Sequence, residues 1–508
     1  MSKLNPADWK QQVIKQEEID KYLVDGKDFI DTQKIFDELQ SNQTPDVSLV
    51  RDIIAKSKEV QRLDPSETAA LLHVTDPDLW AEMDEAALEI KRKVYDNRIV
   101  FFAPLYCANL CVNNCAYCGF KCENSQEKRK ILTMDEVRKE TEAVIDEGHK
   151  RMILVYGEHP ASDADYMVDS IKTAYDTRKK ARKGWGNIRR VNINAAPMSI
   201  NDLKKLWEAG IGTYQVFQET YHKDTYSAVH PANTLKGNYR WRLYALHRAM
   251  DAGIDDVAVG ALFGLYDWRF EVMGLLHHTM DLERQFGIGP HTISFPRLTP
   301  ASGSPLTTNS KYLVKDENFL KLVTVLRLSV PYTGMIVTAR ERAEIRKQAI
   351  LRGCTQTDAS TKIGIGGYTE ALKKLDGYME SSQLEDEQQF MLGDTRSLDE
   401  VVRELAEMGM ITSFCTAGYR CGRTGDKIMG LLKHCVEGKF CKLNAVLTYR
   451  EFLDDYASPE TKVIGEKIIQ KELADIETYP FFQKNKDLMN SFRKEYNDIV
   501  NGERDVYL

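Results

Sequence analysis

The chain has 508 residues, enough for one large barrel with extensions or for two to three ordinary domains. Its composition, with 43% hydrophobic and 29% charged residues, is typical of a globular protein, and the net charge of -7 excludes the basic surplus that nucleic-acid binding requires. The N-terminus is polar where a secretory signal would be apolar, and no run of about 18 apolar residues occurs. We therefore expect a cytoplasmic protein that neither spans a membrane nor binds nucleic acid.

The spacing of apolar residues divides the chain into three segments. Helical spacing predicts a helical N-terminal extension over residues 1–95. From RIVFFAPLY onward, strand-like segments such as RMILVYGE and HTISFPRL alternate with helical ones, which predicts an α/β fold, a (β/α)8 barrel of the TIM type, over residues 96–375. Residues 376–508 are rich in charge and are expected to form a mostly helical C-terminal module wrapped on the barrel.

The ten cysteines are concentrated in two short regions. Five lie between Cys107 and Cys122 and four between Cys415 and Cys441, whereas Cys354 stands alone. In a long cytosolic chain such groups indicate metal or redox chemistry more often than disulfides. We therefore expect two metal regions.

The first region contains Cys111, Cys115 and Cys118 in a CxxxCxxC pattern, which follows an apolar segment and has Tyr117 before the third cysteine. Three thiolates on a short loop can hold a 4Fe-4S cluster and leave the fourth iron open to a chelating ligand. In a radical S-adenosylmethionine (SAM) site that ligand is SAM, whose reductive cleavage gives a 5′-deoxyadenosyl radical. The alternative is a structural zinc site completed by Cys107 or Cys122, but zinc sites usually close with a second paired spacing.

A Gly157-Glu158 pair ends the next predicted strand. Active sites of barrels lie at the C-terminal ends of their strands, so this pair is expected next to the cysteine loop. Exposed main-chain groups and a carboxylate there can bind the ammonium of SAM.

Several longer segments resemble a known family. CVNNCAYCGF, YQVFQETYH, GPHTISFPRL and GMIVTARE are similar to segments of the tyrosine lyases of the radical SAM superfamily, which include the hydrogenase maturase HydG and the 2-iminoacetate synthase ThiH. The resemblance extends from about residue 95 to 460. It implies Cα–Cβ cleavage of L-tyrosine to p-cresol and dehydroglycine, and in HydG further conversion to carbon monoxide and cyanide. A reductant such as ferredoxin or flavodoxin and hydrogenase maturation proteins are the implied partners.

Candidate substrate and SAM residues follow from the same segments. A buried amino acid needs a cation for its carboxylate, and the guanidinium fork of Arg340, at the end of a late strand, suits both oxygens. Thr338 and Arg340 match the family's carboxylate-binding positions, and Arg297 is a weaker candidate of the same type. The resemblance also places Tyr117, Gln218 and Glu219 in the SAM pocket.

The second cysteine region departs from the family pattern. The resemblance implies an auxiliary iron–sulfur cluster held by CxxC and a third, distant cysteine. Cys415 and Cys441 have the outer spacing, but Gly418 stands at the middle position and has no side chain to coordinate iron. Cys421 or Cys435 is an alternative third ligand, and His278, beside His277, best matches the histidine that holds an extra iron.

Three hypotheses remain. The first is a HydG-like lyase that makes carbon monoxide and cyanide. The second is a ThiH-like lyase that stops at dehydroglycine because Gly418 removes the auxiliary ligand. The third is a non-enzymatic iron–sulfur scaffold, which would have no use for a buried anion site.

Overall fold

The computed structural model describes residues 6–375 and 388–508. Helices precede the first strand, as the apolar spacing predicts, and polar residues mark where several begin. Asp64 and Glu67 form a capping box around Pro65, and Asp76 caps the helix that begins at Pro77. These helices are α1 (Pro6–Val13), α2 (Glu17–Asp20), α3 (Thr32–Ser41), α4 (Val47–Lys58), α5 (Pro65–Leu72) and α6 (Pro77–Tyr95).

Eight parallel strands close into a barrel, which confirms the predicted fold class. In barrel order they are β1 (Arg98–Ala108), β2 (Arg151–Tyr156), β5 (Arg190–Asn194), β6 (Tyr214–Gln215), β7 (Val257–Gly260), β8 (Thr292–Ser294), β9 (Gly334–Ile336) and β10 (Gln356–Asp358). Closure occurs where Val100 of β1 pairs with Gln356 of β10. All eleven residues of β1 are buried, as expected for a strand that contacts neighbours on both faces.

Helices and one hairpin connect and surround the strands. The hairpin is antiparallel and consists of β3 (Arg178–Lys180) and β4 (Trp185–Asn187). The helices are α7 (Met134–Asp146), α8 (Ala164–Asp176), α9 (Ile200–Glu208), α10 (Lys223–Val229), α11 (Tyr239–Leu243), α12 (Ala245–Asp251), α13 (Trp268–Phe286), α14 (Leu306–Asn309), α15 (Asp316–Ser329), α16 (Ala343–Leu351) and α17 (Gly367–Leu375), with a 3-10 turn at Pro160–Ser162.

The C-terminal residues add a ninth strand and further helices. Strand β11 (Ile411–Ser413) pairs with the first residues of β1, outside the closed barrel. The helices are α18 (Leu398–Glu407), α19 (Ala417–Arg420), α20 (Gly425–Lys433), α21 (Glu437–Asp455), α22 (Pro459–Thr478), α23 (Pro480–Lys484) and α24 (Lys486–Val500). The C-terminal module is thus mostly helical, as predicted, but it also extends the sheet.

Buried ion pairs fasten this module to the barrel. Glu451 of α21 accepts hydrogen bonds from Lys150 Nζ at 2.9 Å and from Arg189 NH1 at 2.9 Å, and all three side chains are about 1% exposed. Because removing Glu451 would leave the buried Lys150 ammonium without its carboxylate partner, the three residues fix the module's position. In residues 6–375 and 388–508, no helix is both long and apolar enough to cross a bilayer.

Candidate active site

A cavity of about 230 Å³ opens at the C-terminal ends of the barrel strands. It is lined by residues that follow successive strands, which is the usual position of an active site in such a barrel. The lining includes all three cysteines of the predicted cluster loop and both predicted substrate-binding residues of the β9 end. The polar lining residues include Cys111, Cys115, Cys118, Glu158, Glu219, Lys236, Arg242, Thr338, Arg340 and Asp358.

The loop that carries the cysteines is held by one arginine. Arg129 donates hydrogen bonds at 2.6–3.2 Å to main-chain carbonyls around the loop, namely those of Asn109, Phe120, Lys121 and Asn124. These bonds satisfy carbonyl groups that no sheet or helix pairs. The curvature of the loop therefore depends on Arg129, and that curvature turns the three thiols toward the cavity.

The cysteine thiols of this loop must lose their protons before they can bind iron. Burial raises the pKa of Cys111 to about 11 and that of Cys115 to about 12, so both are neutral without iron, and cluster assembly would release protons. Asn113 Nδ2 donates to Cys111 Sγ at 3.7 Å. Among the described residues, no three His, Cys, Asp or Glu side chains converge on a single metal ion. Cysteines that bind different irons of a cubane need no such convergence.

The zinc alternative finds no support in the positions of the two neighbouring cysteines. Cys107 is buried within β1 and Cys122 is exposed. Neither lines the cavity that Cys111, Cys115 and Cys118 share.

Gly157 and Glu158 lie directly against the cluster loop. A Cβ at Gly157 would clash with the carbonyl oxygen of Leu110, so only glycine permits this approach. The carbonyl of Glu158 accepts from Val112 N at 2.9 Å, and its carboxylate accepts from Asn113 Nδ2. Burial raises the pKa of Glu158. The predicted SAM pair and the cysteine loop thus form one continuous wall.

Glu219 is held between two cations that sequence reasoning did not identify. Its carboxylate accepts from Lys236 Nζ at 2.7 Å and from Arg242 NH2 at 2.9 Å. Burial alone would raise the pKa of Glu219, but these two cations hold it below its usual value. Lys236 and Arg242 also line the cavity, although neither belongs to a local pattern that marks it.

The two other residues assigned to the SAM pocket differ in position. Tyr117 lines the cavity, its hydroxyl is 2.8 Å from His230 Nε2, and its ring centroid is 5.4 Å from Lys236 Nζ. Gln218 is buried but does not line the cavity. Glu219 has a left-handed backbone with φ of 70°, and of these two residues only Glu219 lines the cavity.

Arg340 and Thr338 lie in the cavity as predicted. The Arg340 guanidinium is 3.2 Å from the Phe390 ring centroid and donates to Thr299 Oγ1 at 3.2 Å. Burial lowers the pKa of Arg340 to about 10, so it remains cationic at neutral pH. No carboxylate in the described part of the chain forms an ion pair with it. A half-buried cation that lines a cavity and lacks such a partner is suited to an anionic ligand.

Arg297 is not brought to the cavity. Its guanidinium pairs with Asp316 at 2.9 Å and with Glu341. Since two carboxylates already occupy its donors, Arg297 has a structural role at the base of the β8 and β9 loops.

The second cysteine region lies at the opposite, N-terminal end of the barrel. Cys415, Gly418 and Cys441 line a cavity of about 30 Å³ with Asp256 and His291. A hydrogen bond from Cys441 holds the pKa of Cys415 well below its usual value against the effect of burial, and the nearby guanidinium of Arg98 acts in the same direction. Neither Cys421 nor Cys435 lines this cavity.

The histidine of this cavity is His291, not His278. His278 belongs to α13, where its Nδ1 lies 2.9 Å from the Tyr221 hydroxyl and its ring stacks on His247. His291 immediately precedes β8 and lies at the N-terminal end of the barrel. Its place as the first residue of the predicted strand segment HTISFPRL was the signal that could have identified it.

The residues at this second cavity do not fit a cubane cluster. They provide two thiols, and Gly418 offers no ligand at the third position. A space of about 30 Å³ accommodates one or two waters, whereas a cubane has four irons and four sulfides.

Comparison with known proteins agrees with this architecture. Residues 105–273 match the radical SAM superfamily model, and residues 294–411 match the biotin and thiamin synthesis associated domain. A crystal structure of HydG, a maturase of the FeFe-hydrogenase, is 44% identical, with 95% of this chain and 100% of that chain covered and a TM-score of 0.87. HydG from Carboxydothermus hydrogenoformans is 33% identical, with 94% and 99% covered and a TM-score of 0.75. The 2-iminoacetate synthase of Salmonella typhimurium is 27% identical over 70% of this chain and 88% of its own length.

The barrel and the matched domains therefore define a radical SAM enzyme, for which a 4Fe-4S cluster and SAM are the expected cofactors. Within that superfamily, the chain belongs to the family of HydG and 2-iminoacetate synthase, as its motifs indicate.

Proposed function

We propose that this protein is a radical SAM lyase that cleaves the Cα–Cβ bond of L-tyrosine to p-cresol and dehydroglycine. The observation that carries the proposal is Arg340, a half-buried guanidinium that lines the same cavity as Cys111, Cys115 and Cys118. It offers a carboxylate site beside the cluster loop. A protein that only stored or transferred clusters would have no use for that site, which argues against the scaffold hypothesis.

The residues of the chain divide the tasks at this site. Cys111, Cys115 and Cys118 would hold the cluster, and Glu158 with the Glu219 network would bind SAM. When bound, the cluster and SAM supply a 5′-deoxyadenosyl radical. Water must be kept from such a species, and the buried position of the cavity within the barrel serves that purpose.

The substrate would lie between Arg340 and an apolar floor. Arg340 and Thr338 would bind the carboxylate, which fixes the Cα end of the amino acid. Phe102, Ile153 and Ile336 form a buried apolar group on the inner face of the barrel and line the same cavity. These residues could contact the aromatic ring, so the scissile bond would lie between the anion site and the floor.

The fate of dehydroglycine is a separate question. Full-length similarity to HydG, including the C-terminal module, supports further conversion to carbon monoxide and cyanide for hydrogenase maturation. Gly418 and the two-thiol cavity support a lyase that stops at dehydroglycine, the product that the name 2-iminoacetate synthase describes for the Salmonella typhimurium relative. We favour the second fate, because the described residues that line this cavity include only two cysteines. A one-electron donor such as ferredoxin or flavodoxin would serve either enzyme.

Substrate comparison tests the proposal. Anaerobic turnover of the reconstituted protein with SAM and dithionite should give p-cresol from L-tyrosine but not from tyramine, which lacks the carboxylate that Arg340 would bind. Formation of p-cresol from both compounds would refute the proposed carboxylate-binding role of Arg340. Formation of p-cresol from neither compound would refute the proposed tyrosine lyase activity. Carbon monoxide and cyanide, measured in the same samples, should be absent if the reaction ends at dehydroglycine.

A further inference from the structure

Residues 388–394, which we call the strap, cross the open end of the barrel. Their main chain is tied at three points: Gly119 N donates to Gln389 O at 3.2 Å, Met391 N donates to Pro300 O at 2.8 Å, and Gly393 N donates to Ala339 O at 2.8 Å. The three outside partners lie in the loops after β1, β8 and β9. The strap therefore joins the cluster loop to the loop that carries Arg340.

Two glycines permit this close approach. A Cβ at Gly119 would lie 2.9 Å from the carbonyl oxygens of Gln388 and Gln389, and a Cβ at Gly393 would lie 2.5 Å from the carbonyl oxygen of Arg340. The end of the strap is anchored by Asp394, which pairs with Arg346 at 2.6 Å with both side chains buried. Tight contacts and a buried ion pair thus fix the strap against the barrel.

Gln389 and Phe390 of the strap both line the active-site cavity. Gln389 accepts a hydrogen bond from the Tyr106 hydroxyl at its Oε1 (3.0 Å), and its Nε2 donates to Cys118 Sγ at 3.6 Å. Because the Tyr106 hydroxyl donates to the amide oxygen, the amide nitrogen is turned toward the sulfur. The ring of Phe390, the next residue, lies under the Arg340 guanidinium.

We propose that Gln389 is a positioning residue for the iron–sulfur cluster, which donates a hydrogen bond to the Cys118 sulfur and thereby raises the reduction potential of the cluster. The proposal rests on the assignment of the cluster to Cys111, Cys115 and Cys118. An N–H donor stabilises the reduced cluster more than the oxidised one, because the sulfur ligands carry more negative charge after reduction. Since Phe390 supports Arg340, one short segment sets both the cluster environment and the anion site.

The size of the effect follows from the strength of one hydrogen bond to a charged group. Only the difference in the strength of that bond between the two oxidation states appears in the potential. We expect up to about a tenfold change in the ratio of reduced to oxidised cluster at a fixed potential, or about 59 mV for a one-electron couple.

Redox titration of the reconstituted full-length protein, followed by electron paramagnetic resonance, tests the proposal. Gln389→Met keeps the length of the side chain but removes the hydrogen-bond donor. The midpoint potential of its cluster should therefore fall by up to about 59 mV, with iron content unchanged. Tyr106→Phe, which frees the amide to rotate, should shift the potential less and in the same direction. Gln388→Met changes the neighbouring amide of the strap and should leave the potential unaltered.

Different results would refute the role of Gln389 and the assignment of the cluster to the three cysteines. An intact cluster whose potential is the same in wild type, Gln389→Met and Tyr106→Phe would overturn the role of Gln389 alone. A wild-type protein that assembles no cluster, or whose cluster persists in Cys118→Ala with an unchanged spectrum, would overturn the cluster assignment and this inference with it.

Discussion

Replacing Arg340 by methionine tests the anion site most sharply. Methionine keeps apolar contact with Phe390 but removes the charge, and no carboxylate in the described residues loses an ion-pair partner when the guanidinium is removed. Hydrogen bonds to a charged group contribute about 1.5–3 kcal/mol. At about 1.4 kcal/mol per factor of ten, kcat/KM for L-tyrosine should fall about 10-fold to 150-fold.

The assay follows p-cresol at varied L-tyrosine and, separately, 5′-deoxyadenosine without tyrosine. Tyrosine turnover should fall in Arg340→Met, whereas slow tyrosine-independent cleavage of SAM should remain, because the cluster loop is untouched. Arg342→Met is the matched control, since its side chain is 71% exposed and pairs with Asp316 outside the cavity. An equal loss of both activities in Arg340→Met would refute the carboxylate role and indicate a structural one.

Three further changes test other parts of the account. Gly157→Ala should weaken SAM binding at least tenfold in equilibrium dialysis, because the new methyl group would clash with the Leu110 carbonyl oxygen and push the cluster loop away from residue 157. Unchanged affinity would contradict the close packing of Gly157 against the cluster loop. Burial raises the pKa of Glu271 to about 8, so its contribution to stability is complete below about pH 4.3 and is lost as the pH rises through about 8. Glu271→Gln should therefore flatten the fall in Tm between about pH 5 and 9, and parallel Tm curves would exclude this titration. Gly418→Cys should raise the iron content above about four per chain if the missing thiol is what prevents a second cluster, and unchanged iron would contradict that reason.

Local patterns in the sequence were sufficient to predict the barrel and the cluster loop. Strand and helix alternation fixes the order of a parallel barrel, and the C-terminal ends of its strands then meet at one edge. For that reason Gly157 and Arg340, which stand at the ends of predicted strands, could be placed beside Cys111, Cys115 and Cys118. Side-chain direction in the irregular segment after β6, which ends at Gln215, was harder to predict, so Gln218 was assigned together with Glu219.

Residues that reach the cavity from distant segments could not be predicted. Lys236 and Arg242 follow β6 within a connecting segment whose path depends on tertiary packing, and Gln389 lies 271 residues from Cys118. His278 was chosen by similarity of position, whereas His291 reaches the second cavity because it precedes a strand. Arg297 is the opposite case, a predicted site residue that does not line the cavity. Its charge is neutralised by Asp316 and Glu341. Sequence pattern does not reveal such partners.

The most direct test of the central claim compares three proteins in anaerobic turnover with SAM, dithionite and L-tyrosine. Wild type and Cys122→Ala, which alters an exposed cysteine outside the cavity, should both form 5′-deoxyadenosine and p-cresol in a fixed ratio. Cys115→Ala should form neither, because the cluster would lose a ligand. Continued 5′-deoxyadenosine formation by Cys115→Ala, or 5′-deoxyadenosine without p-cresol from the wild type, would contradict the account.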